Sequence, residues 1–203
     1  MNFKVFTHPI FLALFVLTIF NCPDKVKAQD NKIVQRISFW GGYSTTSVRF
    51  LGKTRDAKSQ IIAFGYQRKL MEYKPDYYLW LTADIIPYLH YDYSKRDESG
   101  RPAERSGAGI SPIGFKMVNT ISNLWNPFVS TSGGIIYMNK KFPTDKARQL
   151  NFTFDINIGN TIHLNNNSFL SLGYKFHHIS NAQTGKENPG LDSNFFFLKI
   201  SIQ

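Results

Sequence analysis

Apolar and polar residues alternate with a period of two along most of the chain, in pieces of roughly ten residues each. The pieces fall at about 33–43, 61–73, 77–88, 109–118, 125–137, 150–162, 169–179 and 193–202. The sixth is the clearest, with Leu150, Phe152, Phe154, Ile156, Ile158 and Ile162 on one face and Asn151, Thr153, Asp155, Asn157 and Thr161 on the other. Successive side chains of a strand point to opposite sides, so each piece predicts a strand with one greasy and one polar face. No segment sustains a helical period. The expected fold is all-β, an eight-stranded antiparallel transmembrane β-barrel.

A water-soluble sandwich also alternates, and the connections separate the two. Long polar connections at 44–60, 91–108, 138–149 and 180–192 alternate with tight ones at 74–76, 119–124 and 163–168. Outer-membrane barrels combine long external loops with short periplasmic turns in this way. With both chain ends on the periplasmic side, every long connection falls outside. Trp40, Trp80, Trp125, Tyr73, Tyr77 and Tyr88 lie near strand ends, where an interfacial aromatic girdle is expected.

Residues 1–28 read as a secretory signal. Lys4 supplies the positive n-region, 9–20 a short apolar core, and Val26-Lys27-Ala28 a small-residue cleavage site. The apolar core is too short to cross a membrane as a helix. Cleavage there leaves 29–203 as one barrel domain and removes Cys22, the only cysteine, so no disulfide is expected. Phe20 and Asn21 stand where a lipoprotein signal wants small residues, which argues against acylation of Cys22. Loss of Lys4, Lys25, Lys27 and Asp24 takes the formal charge from +10 to +8. Much of the surplus lies in the long connections and includes Lys140, Lys141, Arg148 and Lys186. Lysine and arginine suit phosphate, and a secreted barrel meets phosphorylated lipopolysaccharide rather than nucleic acid.

Candidate chemistry sits at the last hairpin. Leu170, Leu172, Tyr174, Phe176, His178 and Ser180 share a face that is apolar until its last two members. Beyond a turn at Asn188-Pro189-Gly190, the row Asp192, Asn194, Phe196, Leu198, Ile200 and Ile202 repeats that order in reverse. Folding the hairpin brings His178, Ser180 and Asp192 together, an arrangement of base, nucleophile and orienting acid on the lipid side of the wall. His177 has the opposite parity and is expected to point into the lumen as a structural residue. Among His, Cys and acidic residues no cluster has metal-ligand spacing, and no phosphate loop or dinucleotide fingerprint is present, so neither metal nor cofactor is expected.

His178-Ile179-Ser180-Asn181-Ala182, followed by Asn188 and Asp192, resembles the lipid A 3-O-deacylase (PagL) family over about the last 30 residues. The resemblance implies an eight-stranded outer-membrane barrel that hydrolyses an ester-linked acyl chain of lipid A, with lipopolysaccharide and outer-membrane lipid as partners. It implies His178 as general base, Ser180 as nucleophile, Asp192 as triad acid, and Asn181 and Asn188 as residues shaping the site and its oxyanion hole. Backbone N–H groups after Ser180 and the Asn188 side chain are the expected oxyanion donors. Lys140, Lys141, Arg148 and Lys186 are candidate phosphate contacts. Two positions depart from the family pattern: Asp192 stands where Glu is usual, and Gln183 where Gly usually follows Asn-Ala. Other readings of the same residues are a non-catalytic lipopolysaccharide-binding or structural barrel, and an acyloxyacyl hydrolase or phospholipase on this scaffold.

Overall fold

The computed structural model describes residues 33–96 and 102–203. The alternating pieces form strands β1 (Gln35–Ser44), β3 (Ala57–Lys74), β4 (Tyr77–Arg96), β5 (Pro102–Asn119), β6 (Pro127–Phe142), β7 (Arg148–His163), β8 (Ser168–Ser180) and β9 (Leu191–Ile202). A two-residue strand β2 (Ser47–Val48), not expected from sequence, pairs with the start of β9. Each long strand pairs antiparallel with the next, and β1 pairs with β9 to close the ring. Closure leaves no open edge among the long strands, which a wall facing lipid requires. No helix among the described residues is long and apolar enough to cross a membrane. The leader, Cys22 included, lies outside the described residues.

Parity decides what each face does. In β7, Leu150, Phe152, Phe154, Ile156 and Ile158 point outward and are exposed, whereas Asn151, Thr153, Asp155 and Thr161 are buried inside. The interior is filled with polar side chains. Trp40 Nε1–H donates to Asp84 at 2.9 Å, Lys175 meets Asp155 at 2.7 Å, and Arg36 lies over the rings of Trp80 and Phe169. A cavity of about 40 Å³ between Trp40, Gln67, Asp84, Lys116, Lys175 and Lys199 has room for little more than a water. Among the described residues the interior around this cavity is lined largely by polar and charged side chains.

Two expectations are corrected. Trp40 and Trp80 are not girdle residues: they are 2% and 5% exposed and lie inside. Their parity matches Ser38 and Gln67, and the indole N–H of Trp40 is satisfied by an interior carboxylate. Trp125 and Tyr73 are exposed. The long connections are also shorter than expected, because β4 and β5 continue pairing to Arg96 and Pro102, through much of 91–108, and β6 runs to Phe142. That stretch reads in sequence as a polar connection, yet Leu89, Tyr91 and Tyr93 keep the inward row of β4 going. Inter-strand pairing therefore outlasts the apolar outer face.

Candidate active site

At the end of the barrel with the long connections, β8 and β9 set His178 directly opposite Asp192. Facing residues of an antiparallel pair have Cβ atoms about 5 Å apart, within reach of even a short acid. His178 Nδ1–H donates to Asp192 Oδ1 at 2.6 Å. The register is regular here, so Asp192 makes this bond without closer approach of the strands.

Asp192 faces outward by parity and is nonetheless fully buried. Its cover is the first long connection, 45–56, which folds over the top of β9. Three successive N–H groups, of Phe50 (2.9 Å), Leu51 (2.7 Å) and Gly52 (2.8 Å), donate to Asp192 Oδ2. Lys53 N–H donates to the Pro189 carbonyl at 2.6 Å, and Thr54 N–H to that of Gly190 at 3.2 Å. Val48 pairs with Asp192 itself. Sequence reasoning missed this cover. Its available signal was Val48, Phe50, Leu51 and Gly52, an apolar patch ending in glycine inside an otherwise polar connection.

Ser180 ends β8 on the same outward row as His178 and is half-buried. Its hydroxyl makes no hydrogen bond to His178, or to any other group among the described residues. Two residues along a strand span about 6.8 Å, so the pair shares a rim without touching. Gly190 closes the other side of the imidazole. Its φ is +60°, in the left-handed region, and a Cβ there would come within 3.0 Å of His178 Cε1.

The connection 181–190 is shaped by its asparagines. Asn181 is fully buried; its Nδ2 donates to the Glu187 carbonyl at 2.7 Å and its carbonyl accepts from Thr184 Oγ1 at 2.8 Å. Its N–H donates to Asn188 Oδ1 at 2.9 Å. That N–H, the first after Ser180, is therefore engaged within the loop and not free, contrary to expectation. Ala182 and Gln183 follow with φ of +50° and +63°. The family's glycine at the latter position suits a left-handed backbone, and Gln183 adopts it with a side chain.

Among the candidate phosphate contacts, Arg148 is tied to the site loop, Nε–H donating to the Thr184 carbonyl at 3.0 Å. Lys186 is exposed on that loop, beside a Lys146–Glu187 ion pair of 3.5 Å. Lys140 and Lys141 are exposed near the end of β6.

On the inner face of the same strand, His177 is fully buried, its Nδ1 2.6 Å from Asp155 Oδ1. Lys175 and the Ser132 hydroxyl hold Asp155 Oδ2 at 2.7 and 2.9 Å. No group of three or more His, Cys, Asp or Glu able to hold a metal occurs among the described residues.

A closed antiparallel ring with an apolar outer wall and a filled polar interior defines a transmembrane β-barrel of the outer-membrane type. The sequence model of the lipid A 3-O-deacylase (PagL) family matches residues 62–201, and the chain belongs to that family. Among solved structures it is similar to the outer-membrane enzyme PagL, at 15% identity and a TM-score of 0.59, covering 83% of this chain and 99% of that one. It is also similar to Neisserial surface protein A, at 10% identity and a TM-score of 0.51, covering 85% and 99%. No curated protein matches by sequence.

Proposed function

We propose that the protein is an outer-membrane serine esterase that removes an ester-linked acyl chain, at the 3-O position, from lipid A of lipopolysaccharide. Family membership supports the reaction class. The observation that carries the site is the 2.6 Å bond from His178 to Asp192 on the outward face, one step from Ser180 on the same row. A substrate anchored in the external leaflet presents its ester to the outer wall, and a lumen packed with side chains admits none.

With Nδ1–H committed to Asp192, Nε2 of His178 is the basic nitrogen. It takes the proton of Ser180 Oγ as the oxygen attacks the ester carbonyl, and Asp192 stabilises the imidazolium that results. The hydroxyl closes on Nε2 when substrate is bound, as catalytic hydrogen bonds often tighten only in the complex. The tetrahedral oxyanion needs donors, each worth about 10² to 10³ in rate in related chemistry. Asn181 N–H is taken, which leaves the amides of Ala182 and Gln183 and Nδ2 of Asn188. Collapse releases the sugar hydroxyl, and water activated by His178 then frees the fatty acid. In this reading Arg148, Lys186, Lys140 and Lys141 meet phosphates of the substrate, and the reaction as written uses no cofactor.

Mass spectrometry of lipid A from cells expressing wild type or Ser180→Ala tests this reading. Loss of one primary 3-hydroxyacyl chain with wild type alone supports it. Loss of a secondary chain supports acyloxyacyl hydrolysis, and identical lipid A in both strains supports a non-catalytic barrel.

A further inference from the structure

The segment Phe50–Leu51–Gly52 lies far from the hairpin in sequence and touches its fully buried acid, Asp192. Three consecutive amides converge on one oxygen of Asp192, leaving the other for His178. Charge-assisted bonds of this kind are about twice as strong as neutral ones, and together they fix the carboxylate's rotation. The backbone can come this close because residue 52 is glycine. A Cβ there would lie 2.7 Å from Leu191 N, 2.8 Å from Leu191 Cα and 2.9 Å from the Gly190 carbonyl carbon. All three are main-chain atoms that cannot swing aside, so a side chain at 52 lifts the segment off β9.

The same segment turns its side chains outward. Phe50 is 77% exposed, and its ring stands edge-on to Phe176 at 5.7 Å, the outward residue two before His178. Leu51 is exposed beside it. Phe50 and Leu51 thereby extend the apolar outer row of β8 beside the candidate site.

Resting on the esterase reading, we propose that Phe50–Gly52 is a positioning element for the triad acid, its amides holding Asp192 for His178 while Phe50 contacts the acyl chain of the substrate. Gly52 acts on kcat through Asp192, which a double-mutant cycle on a short-chain ester isolates. In folded protein, judged by heat-modifiable gel mobility, Gly52→Ala lowers kcat about tenfold or more, and on a short-chain ester, which Phe50 does not touch, leaves KM nearly unchanged. The same change made on Asp192→Ala costs nothing further. Leu51→Pro replaces one of the three donors with a ring carbon aimed at Asp192 Oδ2, so it disturbs the same carboxylate and shows the same non-additivity. Phe50→Ala raises KM for a long-chain ester about tenfold and leaves that for a short-chain ester unchanged.

Wild-type kcat in both Gly52→Ala and Leu51→Pro, or losses that multiply with Asp192→Ala, would overturn the positioning role. Equal long-chain KM in Phe50→Ala would overturn the acyl contact. Ser180→Ala runs alongside: if it keeps activity the esterase reading itself falls, whereas an inactive Ser180→Ala beside a fully active Gly52→Ala removes this proposal alone.

Discussion

The wall of this barrel carries two histidine–aspartate pairs back to back, on consecutive residues of one strand. His178–Asp192 outside and His177–Asp155 inside have the same 2.6 Å separation. Their surroundings differ in every respect that matters for chemistry. The inner carboxylate is shared with Lys175 and Ser132, and its imidazole is sealed at 0% exposure against Phe195. The outer carboxylate is held by neutral backbone amides, its imidazole keeps an accessible edge, and Ser180 follows on the same row. A histidine–carboxylate bond is thus not itself a site. An outward row, a hydroxyl of matching parity and an acid not already neutralised by lysine separate the pair proposed to be catalytic from the inner one.

Breaking the outer pair is expected to abolish turnover and spare the fold, and breaking the inner pair to do the reverse. The largest effect belongs to Ser180→Ala and His178→Ala, each lowering kcat about 10⁴-fold or more in detergent-solubilised enzyme, with the urea unfolding midpoint unchanged. His177→Ala keeps kcat at the wild-type order of magnitude. Asp192→Asn keeps the shape and loses the anionic orienting group, for a drop of roughly 10³ to 10⁴ in the same assay. Asp155→Ala leaves Lys175 as an uncompensated buried cation, which destabilises by about 3–5 kcal/mol in urea titrations while the folded fraction retains wild-type kcat. The smallest is Gln183→Gly, which relieves the left-handed backbone and raises stability by about 0.5–1 kcal/mol in the same titrations.

The ring, its strand order and the facing of His178 and Asp192 were legible because period-two alternation and hairpin order are local signals that fix parity. Trp40 and Trp80 were misplaced because position near a strand end outweighed parity, although Trp40 follows Ser38 on the inward row. Strand ends beyond the apolar band were invisible to hydropathy: Asp92 and Glu104 pair across β4 and β5 where water, not lipid, meets the outer face. The amides on Asp192 were out of reach for a different reason. They come from more than a hundred positions away, and a backbone donor carries no residue type to recognise. Asn181 shows the converse, since its side chain was legible while its N–H turned out to be claimed by Asn188.

The central claim, that the outward rim of β8 and β9 holds an activated serine, is tested most directly by a fluorophosphonate probe and peptide mass spectrometry on the folded barrel. The account predicts a single stoichiometric adduct at Ser180, lost in His178→Ala and strongly slowed in Asp192→Asn, and undisturbed in His177→Ala. An unmodified Ser180 in active wild-type protein, or an adduct on another residue, would contradict it.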